Sequence, residues 1–190
     1  MEHITLPNLF FQKALENSDK PFLWAKKNKE WKSLSWHETE IKVKQVAAGL
    51  KYHGIMPGDK IIIVSENRPE WIISDLAINT LNAITVPAYV TNTEDDHRYI
   101  IEHSDAKAVI VSDNIIANRI ALALSKVNSC KLLITMDEYS GFMPEDLKVE
   151  SYEKLIQIGE ENISTALHNL NTIDKDDICC LIYTSGTGGR

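Results

Sequence analysis

The feature that most constrains the fold is a set of short apolar runs without polar alternation. Lys60–Val64 has the sequence Lys-Ile-Ile-Ile-Val, and similar runs occupy residues 83–86, 108–111 and 131–135. A strand buried on one face alternates apolar and polar side chains, whereas a continuous β-branched run is typical of a strand buried on both faces of a parallel sheet. Amphipathic stretches separate the runs. The sequence therefore predicts an α/β fold with a mainly parallel sheet and helices on both faces.

Apolar periodicity and start signals predict the helices. Ser35 with Glu38, and Thr93 with Asp96, have the spacing of capping boxes, and Pro69 suits the first turn of a helix. The predicted helices span residues 6–17, 36–52, 70–81, 93–104, 114–125 and 152–159. In the second helix we expect the buried face to be formed by Ile41, Val46, Ala47 and Leu50, with Gly54 ending the helix.

Three further segments complete the prediction. Residues 22–25 and 31–34 flank a polar stretch and predict a β-hairpin. Residues 136–151 are acidic and rich in turn formers, which predicts no regular structure there. Residues 178–183 form a last apolar strand, which we expect to lack a partner on one side and so to promote self-association.

Composition excludes several classes of protein. The 190 residues include 20 Lys and Arg against 27 Asp and Glu, a formal charge of −7, which argues against a nucleic-acid partner. The longest weakly charged stretch, residues 71–92, is interrupted by Asp75, Asn79, Asn82 and Pro87, so no transmembrane segment is expected. The first residues lack the basic and apolar regions of a signal peptide.

The cysteines indicate a reducing compartment. Cys130, Cys179 and Cys180 are too few for a disulfide framework, and their spacing matches no zinc motif. We expect Cys179 and Cys180 to be buried thiols in the last strand, and the protein to be cytoplasmic.

The last residues have the composition of a phosphate-binding loop. Glycines at 186, 188 and 189 allow close approach of backbone N–H groups to an anion, and Thr184, Ser185 and Thr187 add hydroxyl donors. A flexible polar tail is the alternative interpretation. The loop lacks the Gly-Lys of a Walker motif and the spacing of a dinucleotide fingerprint.

One known pattern does match. Residues 183–190, Tyr-Thr-Ser-Gly-Thr-Gly-Gly-Arg, resemble the signature loop of the adenylate-forming superfamily, Tyr-Thr-Ser-Gly-Thr-Thr-Gly-x-Pro-Lys-Gly, with Gly188 in place of the second threonine. Residues 58–71, which include Ser-Glu-Asn-Arg-Pro-Glu-Trp, and residues 86–93 resemble the preceding parts of the same family. The form of residues 65–71 is most similar to long-chain fatty acyl-CoA ligases.

The resemblance implies both an activity and its site. Relatives activate a fatty acid with ATP and Mg²⁺ as an acyl-adenylate, then transfer the acyl group to coenzyme A. It assigns the ATP phosphates to Thr184, Ser185, Gly186, Thr187, Gly188 and Gly189, and Mg²⁺ to the neighbourhood of Thr187.

The same resemblance bears on domain organisation. Residues 1–190 correspond to part of an N-terminal AMP-binding domain, in which residues 1–57 lead into the α/β core. The catalytic residues and the C-terminal lid are expected downstream, so we expect the isolated chain to be inactive. A non-catalytic remnant or interaction module is the alternative, and a different nucleotide-binding enzyme is a third.

Other residues have simpler expected roles. Arg68 and Glu70 are predicted to form an ion pair at a helix start, and His97 and His103 to lie at the surface. Four tryptophans are predicted in the core: Trp24, Trp31, Trp36 and Trp71. Besides the fatty acid, the expected contacts are peripheral attachment to a membrane or self-association.

Overall fold

The computed structural model describes residues 4–184, which contain a hairpin and an α/β unit. Within them the strands are β1 (Pro21–Lys27), β2 (Glu30–Ser35), β3 (Lys60–Val64), β4 (Ile84–Pro87), β5 (Ala106–Val111), β6 (Leu132–Thr135) and β7 (Lys148–Ser151). The helices are α1 (Leu6–Asn17), α2 (Trp36–Tyr52), α3 (Pro69–Thr80), α4 (Glu94–Ser104), α5 (Asn114–Leu124) and α6 (Tyr152–Glu161), followed by short 3₁₀ turns at Ile163–Thr165 and Leu170–Thr172.

The larger sheet is parallel throughout its described strands, in the order β4-β3-β5-β6-β7. The interior strand β3 pairs with β4 on one side and with β5 on the other. Residues 61–64 of β3 are at most 1% exposed, as expected for a strand covered on both faces. The predicted α/β fold class is confirmed.

The side chains of the central strands alternate between two apolar clusters. Ile61 and Ile63 contribute to one cluster, which also contains residues of α1, α2, α3 and α6. Ile62 and Val64 contribute to the other, with residues of α4 and α5. Full burial of an isoleucine side chain is worth about 1.5–3 kcal/mol, so these alternating residues bind both helical layers to the sheet.

The predicted helix starts are confirmed at both capping boxes. Ser35 Oγ accepts from the Glu38 amide at 3.1 Å while the Glu38 carboxylate accepts from the Ser35 amide at 2.7 Å. Thr93 and Asp96 make the same reciprocal pair at the start of α4. Gly54, with φ of +86°, follows α2 in the left-handed region that glycine tolerates.

One detail of α2 was predicted wrongly. Ile41 is 38% exposed, and Val43 instead is fully buried with Val46, Ala47 and Leu50. The spacing of Val43, Val46, Ala47 and Leu50 follows one helical stripe, and Ile41 lies off that stripe.

A strand within residues 136–151 was missed. β7 pairs in parallel with β6 from Leu132↔Lys148 to Thr135↔Ser151. Its sequence, Lys-Val-Glu-Ser, has no apolar run because β7 lies at the sheet edge, with Lys148 and Ser151 exposed. Polar residues on such a strand discourage pairing with other chains.

The predicted last strand is reduced to one bridge. Cys180 pairs in parallel with Thr85, and the flanking Ile178 and Ile182 are 65% and 67% exposed. Cys179 and Cys180 are also exposed, contrary to the expected buried thiols. The segment contacts the sheet through β4 on one side only, which is too little cover to bury both faces.

Three aromatic side chains differ in solvent exposure from the prediction. His97 is 1% exposed rather than at the surface, because it lies on the inward stripe of α4 with Ile100, Ile101 and Ser104. Trp24 and Trp31 are 56% and 66% exposed on the hairpin.

The remaining aromatic predictions agree with the structure. Trp36 and Trp71 pack against the core, and His103 is exposed.

We predict that Gly159→Ala lowers the free energy of unfolding by about 1–3 kcal/mol, the usual cost of overpacking. A Cβ at this position would lie 1.7 Å from the Gln45 carbonyl oxygen of α2. Alanine favours a helix over glycine by about 1 kcal/mol, so propensity alone predicts the opposite sign. Urea unfolding measures the difference, with Glu160→Ala, at an exposed position of the same helix, as control. A Gly159→Ala variant as stable as the parent would contradict the close contact of α2 and α6.

A second prediction concerns pH. Burial, reinforced by the charge of Arg119 and opposed by Asp96, lowers the pKa of His97 to about 4. An unfolded histidine has a pKa near 6.5, so between about pH 6.5 and 4 the unfolded chain binds a proton that the folded chain does not. This contribution to stability is complete above pH 6.5 and is lost as the pH falls towards 4.

The variant His97→Gln should therefore lose less stability than the parent between pH 7 and 4.5, by about 2 kcal/mol after allowance for solvent screening. Urea unfolding across this pH range tests it, with His37→Gln, at an exposed helix start, as control. Equal pH dependence in the His97→Gln variant and the parent would refute the assignment.

Candidate functional site

The order of the strands marks the carboxyl edge of the sheet as the place for a ligand. After β3 the chain adds β4 on one side and later β5 on the other, which creates a topological switch between β3 and β5. Ligands of open α/β sheets bind outside the carboxyl ends of the strands at such a point. Ser65 and Ser112 directly follow these two strands, so their surroundings are the first candidate site.

Hydrogen bonds connect the residues that follow β3, β5 and β6. Ser112 Oγ donates to the Glu66 carboxylate at 2.6 Å, which joins the ends of β3 and β5. Arg68 donates to Glu70 at 2.8 Å and to Asp137, after β6, at 3.1 Å. The polar groups of three parallel strands are thereby held together at one edge.

Arg68 is the charge centre of this cluster. Burial would lower the pKa of Arg68, but its bonds to Glu70 and Asp137 outweigh burial and raise the pKa. Burial would likewise raise the pKa of Glu70, yet the bond from Arg68 lowers it. The predicted ion pair at the start of α3 is confirmed, and it includes a third member, Asp137, that the sequence did not indicate.

The segment that precedes the predicted phosphate loop lies beside β4. The Thr85 amide donates to the Cys179 carbonyl at 3.1 Å, and the Leu181 amide donates to the Thr85 carbonyl at 2.9 Å. The chain thus runs parallel to β4 and reaches Thr184, which is exposed. The other predicted phosphate ligands lie outside the described residues: Ser185, Gly186, Thr187, Gly188 and Gly189.

Two contacts fix the segment that leads to Thr184. The Tyr183 hydroxyl lies 2.7 Å from His103 Nδ1, and its ring packs edge-on against Tyr99 with centroids 6.2 Å apart. On the other side of the bridge, Asn79 contacts both Asp75 and Thr85. Burial raises the pKa of Asp75 against the opposing hydrogen bonds from Thr85 and Asn79.

Sequence reasoning found part of this edge. Ser112 and Asp137 were missed, although each follows directly or within two residues of a buried apolar run, and this position was a usable signal. Residues 4–184 contain no group of three or more His, Cys, Asp or Glu side chains that could hold a metal ion. In the same span no helix is long and apolar enough to cross a bilayer.

Comparison with known proteins places residues 10–190 in one family, the AMP-binding enzymes. The chain is 27% identical over 165 residues to long chain acyl-CoA synthetase 7 of Arabidopsis thaliana, which covers 84% of the chain and 23% of the relative. It is 26% identical over 190 residues to the long-chain-fatty-acid–CoA ligase FadD15 of Mycobacterium tuberculosis, covering 100% of the chain and 30% of the relative. The chain therefore spans less than a third of these relatives.

The fold agrees with this family. The crystal structure of coronafacic acid ligase from Pectobacterium brasiliense superposes with a TM-score of 0.78 at 20% identity, over 95% of this chain and 33% of that one. The parallel sheet, the helices on both of its faces and the match over residues 10–190 lead to one conclusion. The chain belongs to the AMP-binding enzyme family.

Proposed function

We propose that this chain contributes the N-terminal scaffold and the phosphate loop of an ATP-dependent long-chain fatty acid–CoA ligase. The observation that carries the proposal is the family match over residues 10–190, together with a segment beside β4 that leads into the signature-like loop. The similarity to two long-chain acyl-CoA ligases favours a fatty acid as substrate. Coenzyme A is the proposed acyl acceptor.

The proposed reaction has two steps. A carboxylate oxygen of the fatty acid attacks the α-phosphorus of ATP, and the bond to pyrophosphate breaks. The sulfur of coenzyme A then attacks the acyl carbon, and AMP leaves. Carboxylates resist nucleophilic attack, and the mixed anhydride provides a leaving group.

This chain's proposed part is to hold phosphates. Thr184, Ser185 and Thr187 would donate hydroxyl groups, and Gly186, Gly188 and Gly189 would donate backbone N–H groups, to the β- and γ-phosphates. Mg²⁺ near Thr187 would neutralise phosphate charge. Gly188 supplies one hydroxyl fewer than the family pattern. The bonds between β4 and residues 179–181 support the proposal because they orient the start of the loop.

The remaining machinery is proposed to lie outside residues 1–190. By the family resemblance, the groups that bind adenine and the lid with its catalytic lysine follow this part of the domain. Positioning of reactants can account for roughly 7–11 kcal/mol of a barrier, so a chain without them would not form acyl-adenylate. We propose a cytoplasmic location because the cysteine content suits a reducing compartment.

A non-catalytic interaction module that kept the scaffold remains the second candidate. The exposure of Cys179, Ile182 and Thr184 leaves a surface that a protein partner could contact. This candidate requires that the loop does not bind phosphate. The two candidates differ in whether the loop hydroxyls affect nucleotide affinity.

The prediction is that the chain binds Mg²⁺-ATP weakly through the loop and gives no fatty-acid-dependent ATP–pyrophosphate exchange. Each hydrogen bond to a charged group contributes about 1.5–3 kcal/mol, so Thr184→Ala/Thr187→Ala should weaken ATP binding at least about tenfold. Calorimetric titration measures the affinity, and labelled pyrophosphate measures exchange.

The control is Ser140→Ala, an exposed hydroxyl after β6, which should leave ATP affinity unchanged. Equal ATP affinity in the parent and the double threonine variant would support the interaction module instead. Acid-dependent exchange by the chain alone would show that the reaction needs no further segment.

A further inference from the structure

The β1–β2 hairpin is attached to the core by one side. The ring of Phe22 stacks on Trp36 with centroids 3.7 Å apart, and Phe10 packs against both rings at about 6 Å. Leu23 and Leu34 also pack against the core cluster. At the tip, Asn28 and Lys29 have φ of +53° and +69°, as in a tight two-residue hairpin turn. The hairpin is therefore a fixed projection.

Its other side carries two exposed indole rings. Trp24 is paired with Ser33, and Lys26 is paired with Trp31. Because alternate residues of a strand share a face and paired residues face the same way, Trp24, Lys26 and Trp31 lie on one face. Trp24 is 56% exposed and Trp31 is 66% exposed, so this face leaves two large rings in contact with water.

The charge of the hairpin is opposite to that of the chain. Residues 20–35 contain a single carboxylate, Glu30, against five lysines, a formal charge of +4 in a chain whose formal charge is −7. The lysines are Lys20, Lys26, Lys27, Lys29 and Lys32. All five are exposed, and among the described residues none forms an ion pair with a carboxylate.

The groove beside the hairpin adds less negative charge to this face than the lysines add positive charge. A cavity of about 850 Å³ lies between the hairpin and the start of α3; Trp24 and Trp31 line it on the hairpin side, and Glu66 and Glu70 line it on the other side. Glu66 accepts the Ser112 hydroxyl but keeps its negative charge, whereas the charge of Glu70 is offset by Arg68. The unpaired lysines therefore dominate the local field.

From this combination we propose that the Trp24–Trp31 face of the hairpin docks on the surface of an anionic phospholipid bilayer. Indole rings favour the boundary between headgroups and acyl chains, and lysines near it are attracted to lipid phosphates and carboxylates. The positive charge of this face selects an anionic bilayer as its occupant. A second copy of the chain carries a net negative charge, but it would present the same positive hairpin, so like charges would meet. The proposal goes beyond the ligase function and does not depend on nucleotide binding.

The test is co-sedimentation of the whole chain with phosphatidylcholine vesicles that contain about 30% phosphatidylserine, an anionic fraction chosen to give a strong surface field. We expect binding that weakens as salt rises and is at least about tenfold weaker on pure phosphatidylcholine. Lys26→Gln/Lys29→Gln should reduce the partition coefficient about 25-fold, since each surface lysine contributes roughly fivefold. Trp24→Ala/Trp31→Ala should reduce it to a similar extent.

Matched controls separate docking from general effects. Lys154→Gln/Lys175→Gln removes two exposed lysines elsewhere, and Tyr52→Ala removes an aromatic ring that is 61% exposed on α2. Both should bind anionic vesicles like the parent. Near-ultraviolet circular dichroism checks that each variant is folded, and the lysine pair tests the proposal even if the tryptophan pair does not fold.

Three results would overturn the proposal. The first is no binding of the parent to anionic vesicles. The second is equal loss in the hairpin and control variants. The third is a sedimentation experiment without vesicles in which Trp24→Ala/Trp31→Ala turns an oligomer into a monomer while neither form binds lipid, because the face would then be an interface between copies.

Discussion

The burial of β3 and β5 on both faces is the constraint on which the rest of the chain depends. The β-branched strand is apolar on both faces and neither face can be left in contact with water, so apolar helices must lie on each side. Ile61 and Ile63 require the layer of α1, α2, α3 and α6, and Ile62 and Val64 require α4 and α5. The close approach of α6 to α2 at Gly159 completes the first layer.

The same constraint decides where polar groups can lie. With the middle of the strands covered, polar side chains collect where strands end, and the carboxyl edge carries Glu66, Arg68, Ser112 and Asp137. The sheet boundaries differ from the centre: β7 is polar, and the segment after Asp177 touches β4 through one bridge. Within residues 4–184, that bridge connects the sheet to the segment that ends at Thr184.

Much of this arrangement could be predicted from the sequence because it follows from local patterns. The buried strands have continuous apolar runs, and the capping boxes at Ser35 and Thr93 depend on residues three apart. The structure departs from prediction where tertiary neighbours decide. β7 is a strand because β6 lies beside it, and Cys179 and Cys180 are exposed because nothing among the described residues covers them. His97 is buried because it lies on the inward stripe of α4 with Ile100, Ile101 and Ser104. The phosphate ligands Ser185 to Gly189 stay a prediction.

Residue-resolved amide hydrogen exchange tests the central claim most directly, which is that the sheet holds residues 179–181 through β4. The Thr85 amide bonds to the Cys179 carbonyl and the Leu181 amide bonds to the Thr85 carbonyl, so both should exchange far more slowly than the exposed Thr184. Strong protection at both positions is the predicted result. Leu181 exchanging as fast as Thr184 while β3 stays protected would show that the segment is not part of the sheet and would contradict the account.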